Sequence, residues 1–153
     1  MSDQENQVAT TVTTSNQAAQ VIDLFSDFEL DTKKSLEGVR VPYRGDVVLV
    51  IARQGNGKYR AAIQAAMKRN KRVLDVLPEK EKEDKWNELT IEILASTVLV
   101  GWENVYYKGK PLAYSVENAK LLLQMELFRN FVVDKASDET AYKAVQDEEE
   151  EKN

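Results

Sequence analysis

Apolar residues change their spacing along this chain, and each spacing points to a different element. Phe28–Asp31 and Val39–Tyr43 read as short extended pieces joined by a turn at Leu36-Glu37-Gly38, and Pro42 suits a sheet edge. After a second turn at Arg44-Gly45-Asp46, the run Val47-Val48-Leu49-Val50-Ile51 has the length and β-branching of a buried strand. These three pieces predict an antiparallel meander. Gln54-Gly55-Asn56-Gly57 ends it. From Lys58 the apolar positions Tyr59, Ala62, Ile63, Ala66, Met67, Val73, Leu74 and Leu77 recur at helical spacing up to Pro78. A second helix follows, with acids in Glu79–Asp84 and apolar residues from Trp86 to Gly101. It is apolar nearly all round in its second half, which predicts the buried centre of the domain. Val116 to about Met125 and Glu126–Lys135 predict one broken helix or two short ones, and Ser137–Val145 a final helix. The fold class expected is α+β, mainly α: a small N-terminal antiparallel β-meander followed by a bundle of about four to five helices.

The two ends fall outside this pattern. Residues 1–20 are rich in Ser, Thr, Asn and Gln without a sustained apolar period, too polar to offset their ordering entropy, and are expected to form a disordered N-terminal arm. Residues 147–153 hold Asp147-Glu148-Glu149-Glu150-Glu151, a self-repelling acidic block expected to form a disordered tail. Residues 21–146 are expected to form a single globular domain, as suits a chain of 153 residues that is 42% hydrophobic.

Composition narrows the chemistry. The chain has no cysteine, which removes disulfides, thiolate nucleophiles and zinc–thiolate sites. It also has no histidine, the usual general base near neutral pH and the commonest metal ligand, so Ser-His-Asp machinery and most catalytic zinc sites are excluded. The acidic residues show no pair that stands apart for carboxylate catalysis. No enzyme, cofactor or metal site is expected. Neither a signal peptide nor a membrane span is visible, so a cytoplasmic protein is expected.

The most distinctive stretch is Val100–Leu122, VGWENVYYKGKPLAYSVENAKLL. Its physical reading is an apolar helix ending at Gly101-Trp102, a polar segment with Tyr106 and Tyr107, and a return turn through Lys108-Gly109-Lys110-Pro111. Gly109 can take positive φ, and Ser115 can cap a helix beginning at Val116, with Glu117 and Asn118 in its first turn. The constellation Gly101, Trp102, Gly109, Pro111, Tyr114, Ser115, Glu117 and Asn118 resembles the tail assembly chaperones of long-tailed, siphovirus-like bacteriophages. Phe28-Glu29-Leu30-Asp31, Glu37-Gly38-Val39, Ile51-Ala52-Arg53 and Tyr59-Arg60-Ala61-Ala62 stand in the same order, so the resemblance covers roughly residues 28–135.

That resemblance implies a non-enzymatic chaperone that binds the tape measure protein in the host cytoplasm, keeps this long apolar helical polymer soluble, and helps recruit tail tube subunits. It implies a homo-oligomer that is absent from the mature virion. It further implies a longer product made by a −1 translational frameshift, and Glu151-Lys152-Asn153 can be encoded as GAA-AAA-AAY, which contains the slippery run A-AAA-AAY.

Three other features invite a functional reading. Gly55-Asn56-Gly57-Lys58 follows an apolar strand as a phosphate-binding loop would, but Ala52 stands where that motif needs its first glycine and Tyr59 where it needs a hydroxyl for magnesium. It reads as a plain helix start. Arg53, Lys58, Arg60, Lys68, Arg69, Lys71 and Arg72 give +7 across residues 53–72 with no acid between them. They form either a solvated helix face or a contact for an acidic partner or a neighbouring copy, and the alternative to a chaperone is a nucleic-acid-associated regulator using this face. Nucleic acid is disfavoured by the overall charge of −5 and the lack of interleaved aromatics. Tyr106 and Tyr107 are candidate partner contacts. Trp86 and Trp102 would lie about 24 Å apart on one continuous helix, too far to share a pocket, and both read as packing residues, with Trp102 near Pro111–Tyr114.

Overall fold

The computed structural model describes residues 21–144. The acidic tail and the N-terminal arm expected from sequence lie outside the described residues. Six α-helices, a three-stranded antiparallel sheet and a two-stranded hairpin make an α+β, mainly α fold. In chain order the elements are α1 (Leu24–Phe28), α2 (Thr32–Glu37), β1 (Val39–Pro42), β2 (Val48–Ile51), α3 (Gly57–Val76) and α4 (Glu79–Thr97). They continue with β3 (Leu99–Glu103), β4 (Tyr106–Tyr107), β5 (Lys110–Pro111), α5 (Val116–Leu123), α6 (Glu126–Ala136) and a 3₁₀ turn over Glu139–Tyr142.

The sheet has the order β1-β2-β3. β1 pairs with β2 from Val39↔Ile51 to Pro42↔Val48, and β2 pairs with β3 through Leu49↔Trp102 and Val50↔Gly101, with an irregularity between Val50 and Ile51. The third strand therefore comes from Leu99–Glu103 and not from Phe28–Asp31. Caps shape the N-terminal end. Asp23 accepts from the amides of Phe25 and Ser26, and Asp31 accepts from the amide of Lys34, so short helices flank this piece; Phe28 ends α1, while Glu29, Leu30 and Asp31 stay extended as expected. This extended piece pairs with the C-terminal end of the described chain instead of the sheet, through the Leu30–Lys143 bridge and backbone bonds from Asp31 to Tyr142 and from Ala144 to Glu29.

The second helix likewise stops earlier than its apolar pattern predicts, at Thr97 instead of Gly101-Trp102. A run such as Val98-Leu99-Val100-Gly101-Trp102 fits a buried helix and a buried strand equally well. Two local effects favour the strand. Ser96 and Thr97 donate their hydroxyls back to the Glu92 and Ile93 carbonyls, which weakens the helix at that point, and β2 offers a free edge whose Ala52 amide takes the Val98 carbonyl at 2.7 Å. In the described part of the helix expected over Ser137–Val145, residues 137–144, the 3₁₀ turn stands instead. Asp138 caps that turn, and the fully buried Tyr142 donates its hydroxyl to the Ile51 carbonyl at 2.9 Å. Burial, with the negative charge of Asp138 adding to it and Arg53 opposing, pushes the Tyr142 hydroxyl up to about 12.

The core lies between the sheet and helices α4, α5 and α6. Leu94, Ala95, Val98 and Leu99 are fully buried at its centre, against Leu49 and Ile51 of β2, Ala119 and Leu123 of α5, and Val132 and Ala136 of α6. A smaller cluster, Ala66 with Leu89 and Ile93, joins α3 to α4, and Trp86 packs there. Since α4 ends before Trp102, the two tryptophans belong to different clusters and not to one helix.

Gly38 is required where β1 begins. Its φ is +90°, and a Cβ there would stand 3.0 Å from the Ile51 carbonyl carbon.

Candidate functional site

The return segment after β3 is built as its residue types demand. Lys108 (φ 50°) and Gly109 (φ 79°) are both left-handed, which makes the two-residue turn between β4 and β5 a type I′ hairpin turn. Pro111 pairs with Tyr106 on the outer strand, where no amide is needed. Trp102 is buried, donates Nε1–H to the Leu112 carbonyl at 2.7 Å, and meets Tyr114 edge-on with ring centroids 5.0 Å apart. Tyr114 donates to the Leu99 carbonyl at 2.8 Å, and its own burial raises its pKa. Ser115 accepts from the Asn118 amide at 3.0 Å, Asn118 donates to the Ala113 carbonyl, and Glu117 pairs with Lys120. Gly101 sits on β3 against the Val50 side chain. Trp102, Tyr114, Ser115 and Asn118 thus fasten the return of the chain, while Gly109 and Pro111 shape the exposed hairpin and Glu117 pairs only within its own helix.

An open apolar groove lies where this segment meets the rest of the fold. Its volume is about 720 Å³. Tyr43, Val47 and Leu49 come from the β1–β2 hairpin, Val105 and Tyr106 from the segment after β3, and Leu122, Met125, Leu127, Phe128 and Phe131 from the α5–α6 bend. The bend is locked by Arg129, whose guanidinium donates to the Leu123 carbonyl at 2.9 Å. Leu127, in the first turn of α6, is 85% exposed. Tyr43 and Phe131 form one wall, edge to face at 5.3 Å. Cations stand over both rings, Arg44 over Tyr43 and Lys135 over Phe131, and Glu126 is the acid in the lining. An apolar groove with aromatic walls and a charged rim suits the apolar face of a partner helix.

Of the residues singled out from sequence, Tyr106 lines this groove, while Tyr107 is exposed beside it under the Lys108 ammonium. The seven cations do not converge. Arg53 is largely covered: it donates toward the Ser35 hydroxyl and the Gly55 carbonyl and pairs with Glu139 at 3.5 Å, so it is an internal strut and not a free contact. Lys58, Arg60, Lys68, Arg69, Lys71 and Arg72 are exposed, but at about 3.6 residues per turn they spread over the whole solvent half of α3 rather than forming one patch.

Sequence reasoning missed two things. One is the groove, whose walls come from three separated segments. The other is Asn56, which is 2% exposed. It caps α3 by accepting from the Tyr59 amide at 2.9 Å and donates to the Arg53 and Thr97 carbonyls at 2.7 and 3.1 Å, tying the start of α3 to the end of α4. The Gly55-Asn56-Gly57-Lys58 loop is a helix start, stapled to its neighbour.

Among the described residues there is no cluster of three or more acidic side chains placed to hold a metal, and no helix long and apolar enough to cross a membrane. No curated protein and no solved structure matches the chain. A family model described as YdaY prophage protein matches residues 54–153, which covers α3 onward and includes the hairpin and the α5–α6 wall of the groove. The chain is phage-derived and belongs to the YdaY prophage protein family.

Proposed function

We propose that this protein is a non-enzymatic tail assembly chaperone that shields apolar helical segments of the tape measure protein during tail assembly. The observation that carries the reading is the open groove between the hairpin and the α5–α6 bend, with Leu127 and Tyr106 exposed at its mouth. A phage origin and the resemblance of the Val100–Leu122 motif to tail chaperones support it. The tape measure protein is a long helical polymer with repeated apolar faces. A small domain with one groove per copy matches it by many weak, repeated contacts along a filament, which together hold far more tightly than any one.

In this reading the chain works in the host cytoplasm, self-associates, helps bring tail tube subunits to the loaded tape measure protein, and leaves before the virion is complete. Co-expression tests it. The tape measure protein should be soluble and co-elute with this chain, and Leu127→Asp should return it to the insoluble fraction while the variant itself stays folded. Equal solubility of the tape measure protein with and without the chain would rule the reading out.

A further inference from the structure

The groove has a counterpart on the same chain. Helix α1 buries none of its residues, and Phe25 and Phe28 are 89% and 76% exposed, with Ile22 and Leu24 exposed beside them. A soluble domain rarely leaves two phenylalanines on one turn and a half of helix in water. The helix is nevertheless formed in advance, because Asp23 holds its first turn through the Phe25 and Ser26 amides and the Ser26 hydroxyl. Hydrogen bonding to that hydroxyl and those amides also lowers the Asp23 pKa.

Charge matches as well as shape. Residues 21–31 carry Asp23, Asp27, Glu29 and Asp31 and no base. The rim of the groove carries Arg44 and Lys135, seated over the two aromatic rings of its wall, against the single acid Glu126. An acidic helix with an aromatic face has the complementary partner to this rim.

The chain's own α1 is held away from its own groove. Its C-terminal end is pinned by the Leu30–Lys143 bridge, the Ala144 amide on the Glu29 carbonyl, and the Asp31 amide on the Tyr142 carbonyl. Tyr142 in turn fixes this anchor to Ile51, at the end of the central strand opposite the start of β1. The groove opens at the other end of the same strands, at Tyr43 and Val47, about 13 Å further along.

We infer that the groove of one copy receives the α1 helix of a second copy, with Phe25 and Phe28 entering between Tyr43, Leu127 and Phe131. The contact is heterologous, so each complex still presents one free α1 and one free groove at its ends, and assembly proceeds to a ring or an open chain. The inference rests on the tail-assembly reading only for its purpose, since the two surfaces are complementary whatever the partner protein. A neighbour's α1 and a tape measure helix compete for one groove, which would make the self-assembled form a store that the tape measure protein draws down.

Light scattering coupled to size-exclusion chromatography tests it without any tape measure protein. The wild-type chain should grow in mass with concentration, whether to a closed ring or to a series. Phe25→Asp/Phe28→Asp, which keeps the groove, and Leu127→Asp, which keeps α1, should each be monomeric, weakened by about tenfold or more in apparent Kd. All of these positions are exposed, so both variants should keep the far-ultraviolet circular dichroism of the wild type. An equimolar mixture of the two variants should form a heterodimer and stop there, because one supplies only a groove and the other only a helix. A monomeric wild type, assembly unaffected by both variants, or a mixture that stays monomeric would each overturn the inference. Tape measure solubility maintained by the α1 variant would leave the chaperone reading standing, so the two failures are separable.

Discussion

Asn56 offers the sharpest test of how the helical part of the fold is held to the sheet. Replacing it with alanine removes a helix cap, about 0.5 to 2 kcal/mol in comparable cases. It also leaves the buried Thr97 carbonyl without the side-chain amide that now donates to it, at about 1 to 3 kcal/mol for a buried group left unpaired, while the Arg53 carbonyl keeps the backbone amide of residue 56 at 3.2 Å. The expected loss is roughly 2 to 4 kcal/mol, a large share of the stability of a domain this size. The aspartate variant separates the two roles. Helix α3 has no acid in its first turn and carries Lys58 and Arg60 near its start, so aspartate at an exposed cap would be neutral or stabilising. At the observed site it keeps the acceptor toward Tyr59, loses both donations, and sets a carboxylate against two carbonyl oxygens in a position 2% exposed. Asn56→Asp should therefore be at least as damaging as Asn56→Ala. Urea unfolding followed by far-ultraviolet circular dichroism gives both values by linear extrapolation. An aspartate variant within about 0.5 kcal/mol of wild type would refute the account, because that is the scatter of an ordinary surface substitution.

Other residues give independent expectations. Trp102→Ala should cost about 3 to 5 kcal/mol, as an emptied aromatic site does, and Trp102→Phe should cost less but still lose the bond to the Leu112 carbonyl; urea midpoints measure both. Tyr142 is protonated in the fold up to about 12, against about 10 when unfolded. Its contribution is therefore complete below about pH 10 and lost as the pH rises through about 12, roughly 2 to 3 kcal/mol in all. Tyr142→Phe should be less stable than wild type at neutral pH and show a flatter decline between those values, and parallel pH profiles for the two would contradict this.

Much of the fold can be read from the chain because its punctuation is local. Pro78 ends α3 and precedes α4, and Ser115 caps α5 by accepting from the Asn118 amide, both as local residue chemistry dictates. The misread elements are those decided by distant partners. Val98–Trp102 becomes a strand because β2 has an unfilled edge, and that edge is visible only once the sheet is assembled. Phe28–Asp31 is extended over Glu29–Asp31 as read, but it pairs with Lys143 rather than with the sheet, a partner over a hundred residues away in the chain. The motif around Trp102 was legible as a fastening, since hydrogen-bonding tryptophan and tyrosine, a left-handed glycine and a serine cap all act within a few residues. The groove was not. Leu127 and Phe131 look like any apolar positions of a short helix, and only the packing of α6 against the β1–β2 hairpin leaves one exposed and sets the other against Tyr43. The run of cations was legible as charge but not as a surface, because its spacing covers half of α3 instead of one face.

Hydrogen–deuterium exchange on the chain with and without the tape measure protein tests the central claim most directly. The account predicts a stable complex in which protection rises over Val105–Tyr107 and Leu122–Phe131, the walls of the groove, while the exposed cation-bearing half of α3 exchanges as before. Protection confined to Lys58–Arg72, or no complex at all, would contradict it.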